Sequence, residues 1–121
     1  MDKMKQLAER RSLDDLTIGP VISWTTERMM AHKDAVLSIP GAKVLFGGKP
    51  LDPSSHSIPS IYGAIEPTAV FVPLKSMLES PKAFEIATTE LFGPFQVVTE
   101  YGDEDIDSII EACERMSHHL T

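Results

Sequence analysis

The amino-acid sequence predicts an α/β fold in which a short, mostly parallel sheet is flanked by helices. Short apolar runs alternate with helix-like segments after residue 25, an order that favours strands connected through helices. The run Ala69-Val70-Phe71-Val72 is apolar at every position, which is typical of a strand buried on both faces. The chain has 121 residues, a length that suits one globular unit. We therefore predict a single segment over residues 1–121.

The helices are predicted from apolar residues spaced three and four apart and from capping residues or proline at their ends. They cover residues 1–11, Thr25 or Thr26 to about Ser38, Pro81 to about Thr89, and a segment that begins at Asp103 or Asp105. The last helix carries an apolar stripe made of Ile106, Ile109, Ile110, Cys113 and Met116. We expect this stripe to face the core. The six methionines are interpreted as flexible core filling.

The strands are predicted at Lys43–Phe46, Glu66–Leu74 and Phe95–Tyr101, where apolar residues cluster between turn signals. Strands this short and few make a poor sheet, and a parallel sheet needs covered faces and protected edges. This predicts either that the chain is one section of a larger domain or that a partner covers the sheet edges.

Composition excludes several classes of function. The formal net charge of −7 argues against nucleic-acid binding, which needs a basic face. No apolar stretch approaches the roughly 20 residues of a membrane span. The single cysteine, Cys113, cannot form an internal disulfide. The basic N-terminal residues are accompanied by Asp2 and Glu9, so we interpret them as a solvated helix and see no targeting signal.

Few residues are placed for catalysis or metal binding. Cys113 lies in an apolar stripe and is flanked by acidic residues, so we predict a structural core cysteine and no activated nucleophile. Adjacent His118 and His119 point in different directions, while His32 and His56 stand alone. We predict no metal site. No G-x-G-x-x-G or P-loop pattern is present.

The segment Glu90-Leu91-Phe92-Gly93-Pro94 combines a carboxylate, an aromatic ring and a Gly-Pro turn between a predicted helix and strand. Its residues alone favour a structural turn over a ligand-binding loop. The segment resembles the E-[IL]-F-G-P motif of the aldehyde dehydrogenase superfamily. Further elements occur in that family's order between residues 19 and 101, namely Gly19–Val21, Gly41–Gly48, Glu66–Thr68 and Phe95–Val98. Residues 7–21, 57–71 and 114–121 resemble the plant-type Δ1-pyrroline-5-carboxylate dehydrogenases more narrowly.

The resemblance implies a partial aldehyde dehydrogenase catalytic domain. Enzymes of this family oxidise a small aldehyde, here glutamate semialdehyde of proline breakdown, to an acid with NAD. Carried across, Glu90 holds the ribose hydroxyls beside the nicotinamide, and Phe92 packs nearby. The family's nucleophilic cysteine and general-base glutamate precede the matching segments. We therefore expect this chain to be a fragment that is not competent alone, and its status as an enzyme stays open. The resemblance to this family implies a location in the mitochondrial matrix.

Two other readings stay open. The chain could be a non-catalytic interaction module or subunit of a larger assembly, with a protein partner covering the exposed sheet edges. It could also be an unrelated α/β domain that matches the motifs by chance.

Overall fold

The computed structural model describes residues 2–9 and 21–116. The helices in this part of the chain are α1 (Asp2–Glu9), α2 (Thr26–Leu37), α3 (Leu74–Leu78), α4 (Pro81–Thr88) and α5 (Ile106–Arg115). The strands are β1 (Lys43–Phe46), β2 (Thr68–Phe71) and β3 (Phe95–Val98). The end of the first predicted helix, residues 10–11, and the histidine pair at 118–119 lie outside the described residues.

The helix starts follow from capping side chains. The hydroxyl of Thr25 accepts a hydrogen bond from the Arg28 amide at 3.2 Å, and α2 begins at the next residue. The hydroxyl of Ser80 accepts from the Ala83 amide at 3.1 Å, and Pro81 occupies the first turn of α4. Both arrangements satisfy an amide that the helix itself cannot pair. The predicted helices at these positions are confirmed.

The sheet has the order β1-β2-β3, which confirms the α/β class. β2 and β3 pair in parallel, whereas β1 pairs antiparallel to β2, so the sheet is mixed. The connections explain the difference. The β2–β3 connection contains α3 and α4, and a parallel pair needs such a crossover. The connection through residues 47–67 contains only the 3₁₀ turn Pro53–Ser55, and it returns the chain in the opposite direction.

The second strand is shorter than its apolar run predicted. β2 ends at Phe71, and α3 begins at Leu74 directly after Pro73. An apolar residue such as Leu74 can be buried at the end of a strand or at the start of a helix. An apolar run therefore cannot distinguish the two. β3 likewise ends at Val98, short of the predicted Tyr101.

The main core lies on one face of the sheet. Val70 of β2 and Val72, which follows the strand, are fully buried there. The same cluster contains residues from all four helices after α1, namely Val36, Leu74, Met77, Phe84, Ala87 and Ala112. A second cluster consists of Val21, Met29, Ile65 and Leu91. Met29 and Met77 are buried, which confirms core filling for these two methionines.

The prediction of a core cysteine in α5 is wrong, because Cys113 is exposed. α5 packs through Ala112, which is 3% exposed, and its small side chain permits close approach. Arg115 then stacks over the Phe84 ring at 4.0 Å. In this orientation of α5, one side of the predicted apolar stripe faces solvent, and Ile110 is 52% exposed.

Thr68 connects the turn after β1 to the start of β2. Gly47 and Gly48 both have positive φ, at 68° and 88°, a conformation that glycine adopts without steric cost. The Gly48 amide donates to the Thr68 hydroxyl at 2.8 Å, and that hydroxyl donates to the Glu66 carbonyl at 2.7 Å. Thr68 is 1% exposed, so neither bond is easily replaced by water.

Thr68→Val should destabilise the fold. The substitution keeps the shape but leaves the Gly48 amide and the Glu66 carbonyl without their partner, at a cost of about 1–3 kcal/mol. Urea denaturation measures the change in the free energy of unfolding. Thr68→Ser is the matched control, because it keeps the hydroxyl and removes only a methyl group. A Val variant no less stable than the Ser variant would contradict this assignment.

Candidate functional site

The candidate site is the loop Glu90–Pro94, here called the motif loop. It begins where α4 ends. The hydroxyl of Thr88 donates to the Phe84 carbonyl at 2.8 Å, and that of Thr89 donates to the Glu85 carbonyl at 2.7 Å. The two threonines thus satisfy carbonyls of the last helical turn. Thr89 itself is extended, so the chain leaves α4 sharply and enters the motif loop.

Buried and exposed side chains alternate within the motif loop. Leu91 is 3% exposed and belongs to the second core cluster, against Val21 and Met29. Phe92 has a φ of 47° and is 69% exposed. A bulky residue rarely adopts positive φ, because its Cβ approaches the following carbonyl. The buried leucine holds this conformation, and the phenylalanine ring therefore projects to the surface.

Gly93 allows the motif loop to lie close to the second cluster. A Cβ at this position would lie 2.6 Å from Cγ2 of Val21. Val21 cannot easily move, since its amide and carbonyl both pair with Gly63 at 2.8 Å. At the far end of the loop, the Pro94 carbonyl accepts from the Thr68 amide at 2.7 Å. The loop is thus fixed at its centre and at its exit.

A cleft of about 370 Å³ runs beside the motif loop, and both predicted site residues line it. Glu90 is exposed and belongs to this lining. Its carboxylate can accept hydrogen bonds from two neighbouring hydroxyl groups. Phe92 adds an aromatic surface. The remaining lining is largely apolar and comes from α3, α4, β3 and the end of α5. The structure therefore brings Glu90 and Phe92 together at one cleft.

The residues that hold the motif loop were not predicted from sequence. Val21 and Met29 lie more than fifty residues before the loop in the chain, and no local pattern links them to it. The sequence signal for this packing was Gly93. A glycine beside a buried apolar residue indicates a close approach of backbone to a neighbouring element, although it does not identify that element.

His32 lies beside the second core cluster, between two aromatic rings. Its ring centroid is 5.6 Å from that of Trp24 and 5.8 Å from that of Phe95, both edge-on. Its Nε2 atom is buried and has no hydrogen-bond partner among the residues that the structure describes. Burial lowers the pKa of His32 from its ordinary value, because the charged form loses hydration. On Trp24, the Arg28 guanidinium lies 4.0 Å from the ring centroid.

No metal-binding group was found in the described part of the chain. Within residues 2–9 and 21–116, no set of three histidine, cysteine or carboxylate side chains could hold an ion. Over the same residues, the helices are all too short or too polar to cross a membrane.

The fold and the motif loop together are similar to a segment of the aldehyde dehydrogenase class. No protein-family model matches the chain. Two curated relatives do match it over all 121 residues: a mitochondrial Delta-1-pyrroline-5-carboxylate dehydrogenase of Arabidopsis thaliana at 57% identity and a "Probable aldehyde dehydrogenase" of Linum usitatissimum at 56%. The chain spans about a fifth (21%) of the length of each of these relatives.

These comparisons confirm the resemblance predicted from the motifs. Both relatives are named as aldehyde dehydrogenases, and the Arabidopsis protein carries the narrower name of a pyrroline-5-carboxylate dehydrogenase. The identity extends over the whole chain, beyond the motif loop, so a chance match is excluded. The α/β segment described above is accordingly similar in sequence to a segment of plant aldehyde dehydrogenases.

Gly93→Ala should displace the motif loop and destabilise the fold. The new methyl group would overlap Val21, and such overpacking costs about 1–3 kcal/mol. Thermal or urea denaturation measures this cost. Gly102→Ala is the matched control, because a Cβ there would meet only the exposed side chain of Glu104, which can rotate away. Equal stability of the two variants would contradict the close approach at Gly93.

Stability should fall as the pH is lowered through the titration of His32. The folded state holds the pKa of His32 below its ordinary value of 6.5. The unfolded chain therefore takes up its proton first, and stability is lost as the pH drops below about 6.5. His32→Gln removes this contribution while leaving the other titratable groups in place. Denaturation at pH 7.5 and pH 5 should show a larger loss for the native chain than for the variant. Equal losses of stability in the native chain and the variant would contradict this role of His32.

Proposed function

We propose that the motif loop is the part of an NAD-dependent aldehyde dehydrogenase that holds the ribose on the nicotinamide side of the cofactor. One observation carries this proposal: Glu90 and Phe92 line the same cleft. Both extend from a loop whose centre is fixed by the buried Leu91. A carboxylate carried on a fixed loop suits the precise orientation that a cofactor requires.

The residues of the cleft suit a nucleotide sugar. The two carboxylate oxygens of Glu90 can accept from adjacent ribose hydroxyls, and charge-assisted hydrogen bonds of this kind are stronger than neutral ones. The exposed ring of Phe92 offers a flat apolar surface next to them. When bound, NAD supplies the hydride acceptor for the oxidation of an aldehyde. The part assigned to this chain is to bind and orient the cofactor.

The activity of the whole protein is proposed from its relatives. A protein containing this segment would oxidise glutamate semialdehyde, the open form of Δ1-pyrroline-5-carboxylate, to glutamate, in proline breakdown in mitochondria. The name and the mitochondrial label of the Arabidopsis relative support this assignment. Cys113 does not line the cleft of Glu90, so we assign it no role as nucleophile. We propose that the chain binds cofactor weakly and does not turn over aldehyde alone.

The second candidate is a non-catalytic interaction module. It is favoured by the position of β3 as a terminal strand of the sheet formed by the described residues, since such an edge can pair with another polypeptide. A chain that binds a protein partner but no dinucleotide would support this function over the first.

Glu90→Gln should weaken NAD binding by about 10- to 100-fold, because it removes the charge from hydrogen bonds worth about 1.5–3 kcal/mol. Calorimetric or fluorescence titration of the 121-residue chain with NAD measures the Kd. Glu85→Gln is the matched control, since Glu85 is an exposed glutamate of α4 outside the cleft lining. The native chain and both variants should show no NAD reduction with glutamate semialdehyde. Unchanged affinity in the Glu90 variant would refute the ribose-binding role.

A further inference from the structure

His32 lies on the side of α2 that supports the motif loop. Met29, three residues earlier, is fully buried and belongs with Leu91 to the second core cluster. The Cε atom of Met29 would lie only 3.3 Å from a Cβ at Gly93. Residues three apart on a helix are neighbours on its surface, so His32 lies next to the contact that holds the centre of the loop.

His32 also contacts the chain where it leaves the motif loop. Its ring centroid lies 5.8 Å from that of Phe95, and the two rings meet edge-on. Phe95 directly follows Pro94, and its amide donates to the Gly93 carbonyl at 2.7 Å. Its side chain lines the cleft that Glu90 also lines. Phe95 therefore connects the His32 ring to both the motif loop and the cleft.

Trp24 confines the His32 ring from the other side. The two ring centroids are 5.6 Å apart, and this contact is also edge-on. Trp24 itself packs against the second core cluster. Edge-to-face ring pairs stabilise a fold beyond the area that they bury. A shift of the imidazole would thus break two ring contacts and would release Phe95 from its support on α2.

The environment of His32 selects the uncharged ring. A neutral imidazole has one N–H group, whereas the charged form has an N–H on both nitrogens. Nε2 is buried and has no partner among the described residues, so a proton there would be a buried donor without an acceptor, which is costly. Burial accordingly lowers the pKa of His32. The neutral ring is the form that fits between Trp24 and Phe95.

No described charge compensates a proton on His32. The segment before α2, residues 21–25, and the strands β2 and β3 contain no titratable side chain. The charged side chains of α2 and of the neighbouring α4 are Glu27, Arg28, Lys33, Asp34, Lys82 and Glu85. Lys33 and Asp34 pair with each other at 3.0 Å. Within residues 2–9 and 21–116, no carboxylate forms an ion pair with His32. Glu90, the titratable residue of the motif loop, is exposed.

We propose that neutral His32 is a positioning residue of the cofactor site: it holds Phe95 in place and thereby keeps Glu90 and Phe92 in the geometry that binds the ribose. Protonation draws the imidazole toward water, frees Phe95 and lowers the affinity for cofactor. Histidine is suited to such a switch, because its charge changes in the physiological pH range. The effect on cofactor rests on the proposed ribose-binding function, whereas the effect on the loop does not.

Nuclear magnetic resonance of the 121-residue chain without cofactor tests the effect on the loop. The ring signals of His32 are followed as the pH is lowered from about 8 to about 5, a range that spans an ordinary histidine titration. Signals of Leu91, Phe92 and Phe95 should shift with the midpoint of His32. Signals of Val70 in the main core should stay in place, which separates a local change from unfolding. Loop signals that do not follow His32 would overturn the proposal.

His32→Phe is the decisive variant, because it keeps an aromatic ring at this position and cannot be charged. It should remove the pH-dependent shift of the loop signals. His56→Gln is the matched control, since His56 does not line the cleft, and it should leave the shift unchanged. If His32→Phe does not fold, His32→Gln provides a second uncharged side chain. A shift that persists in the uncharged variant would contradict the role of His32.

Titration with NAD at several pH values tests the effect on the cofactor. The Kd of the native chain should rise by at least about threefold more than that of His32→Phe between pH 7.5 and pH 5, because only the neutral state is competent to bind. Protonation of Glu90 affects both chains equally, so the difference isolates His32. By reciprocity, saturating NAD should lower the pKa of His32. Equal pH dependence in the two chains would overturn the effect on cofactor.

The two measurements separate this inference from the ribose-binding function. If the chain binds no NAD at any pH, the ribose-binding function fails, and the loop signals alone decide whether His32 positions the loop. If NAD binds and Glu90→Gln weakens it, but neither the loop nor the affinity follows His32, the ribose-binding function stands and the positioning role is wrong.

Discussion

Thr68 forms hydrogen bonds to two turns, one after β1 and the other before β3, which lie on opposite sides of β2 in the sheet. Its hydroxyl pairs with the Gly48 amide after β1, and its backbone amide pairs with the Pro94 carbonyl before β3. Both contacts are made by a residue that is 1% exposed, where water cannot substitute for a lost partner. The position of the motif loop therefore depends on the start of β2. The sheet and the candidate site are one structural unit, which explains why a short loop can hold a defined shape.

The conformation of the motif loop results from two opposed energies. Holding Phe92 at positive φ costs about 1–2 kcal/mol for a residue with a Cβ. Burying Leu91 against Val21 and Met29 contributes about 1.5–3 kcal/mol, and Gly93 lets that contact form without overlap. The burial of Leu91 is large enough to offset this cost, so the loop keeps its exposed phenylalanine. Strain of this kind is typical of functional sites, and here it fixes the direction of the side chain next to Glu90.

The sequence predicted what depends on local patterns and known motifs. The starts of α2 and α4 followed from Thr25 and Pro81, because the signals at a helix start are short-range. The resemblance to aldehyde dehydrogenases came from the E-L-F-G-P segment and was confirmed by relatives that match the whole chain. Features that depend on packing were not predicted. The exposure of Cys113 is set by how α5 rotates against α4, and the direction of β1 is set by its connection.

The motif loop and the outer edge of β3 share one cleft, and this has a thermodynamic consequence. Phe95, Val97 and Thr99 line the cleft beside Glu90 and lie on β3 or directly after it. A polypeptide that paired with β3, as in the second candidate function, would change the wall that a cofactor meets, so the two binding events would be coupled. Coupling is reciprocal: a strand that raises cofactor affinity must itself bind more tightly in the presence of cofactor.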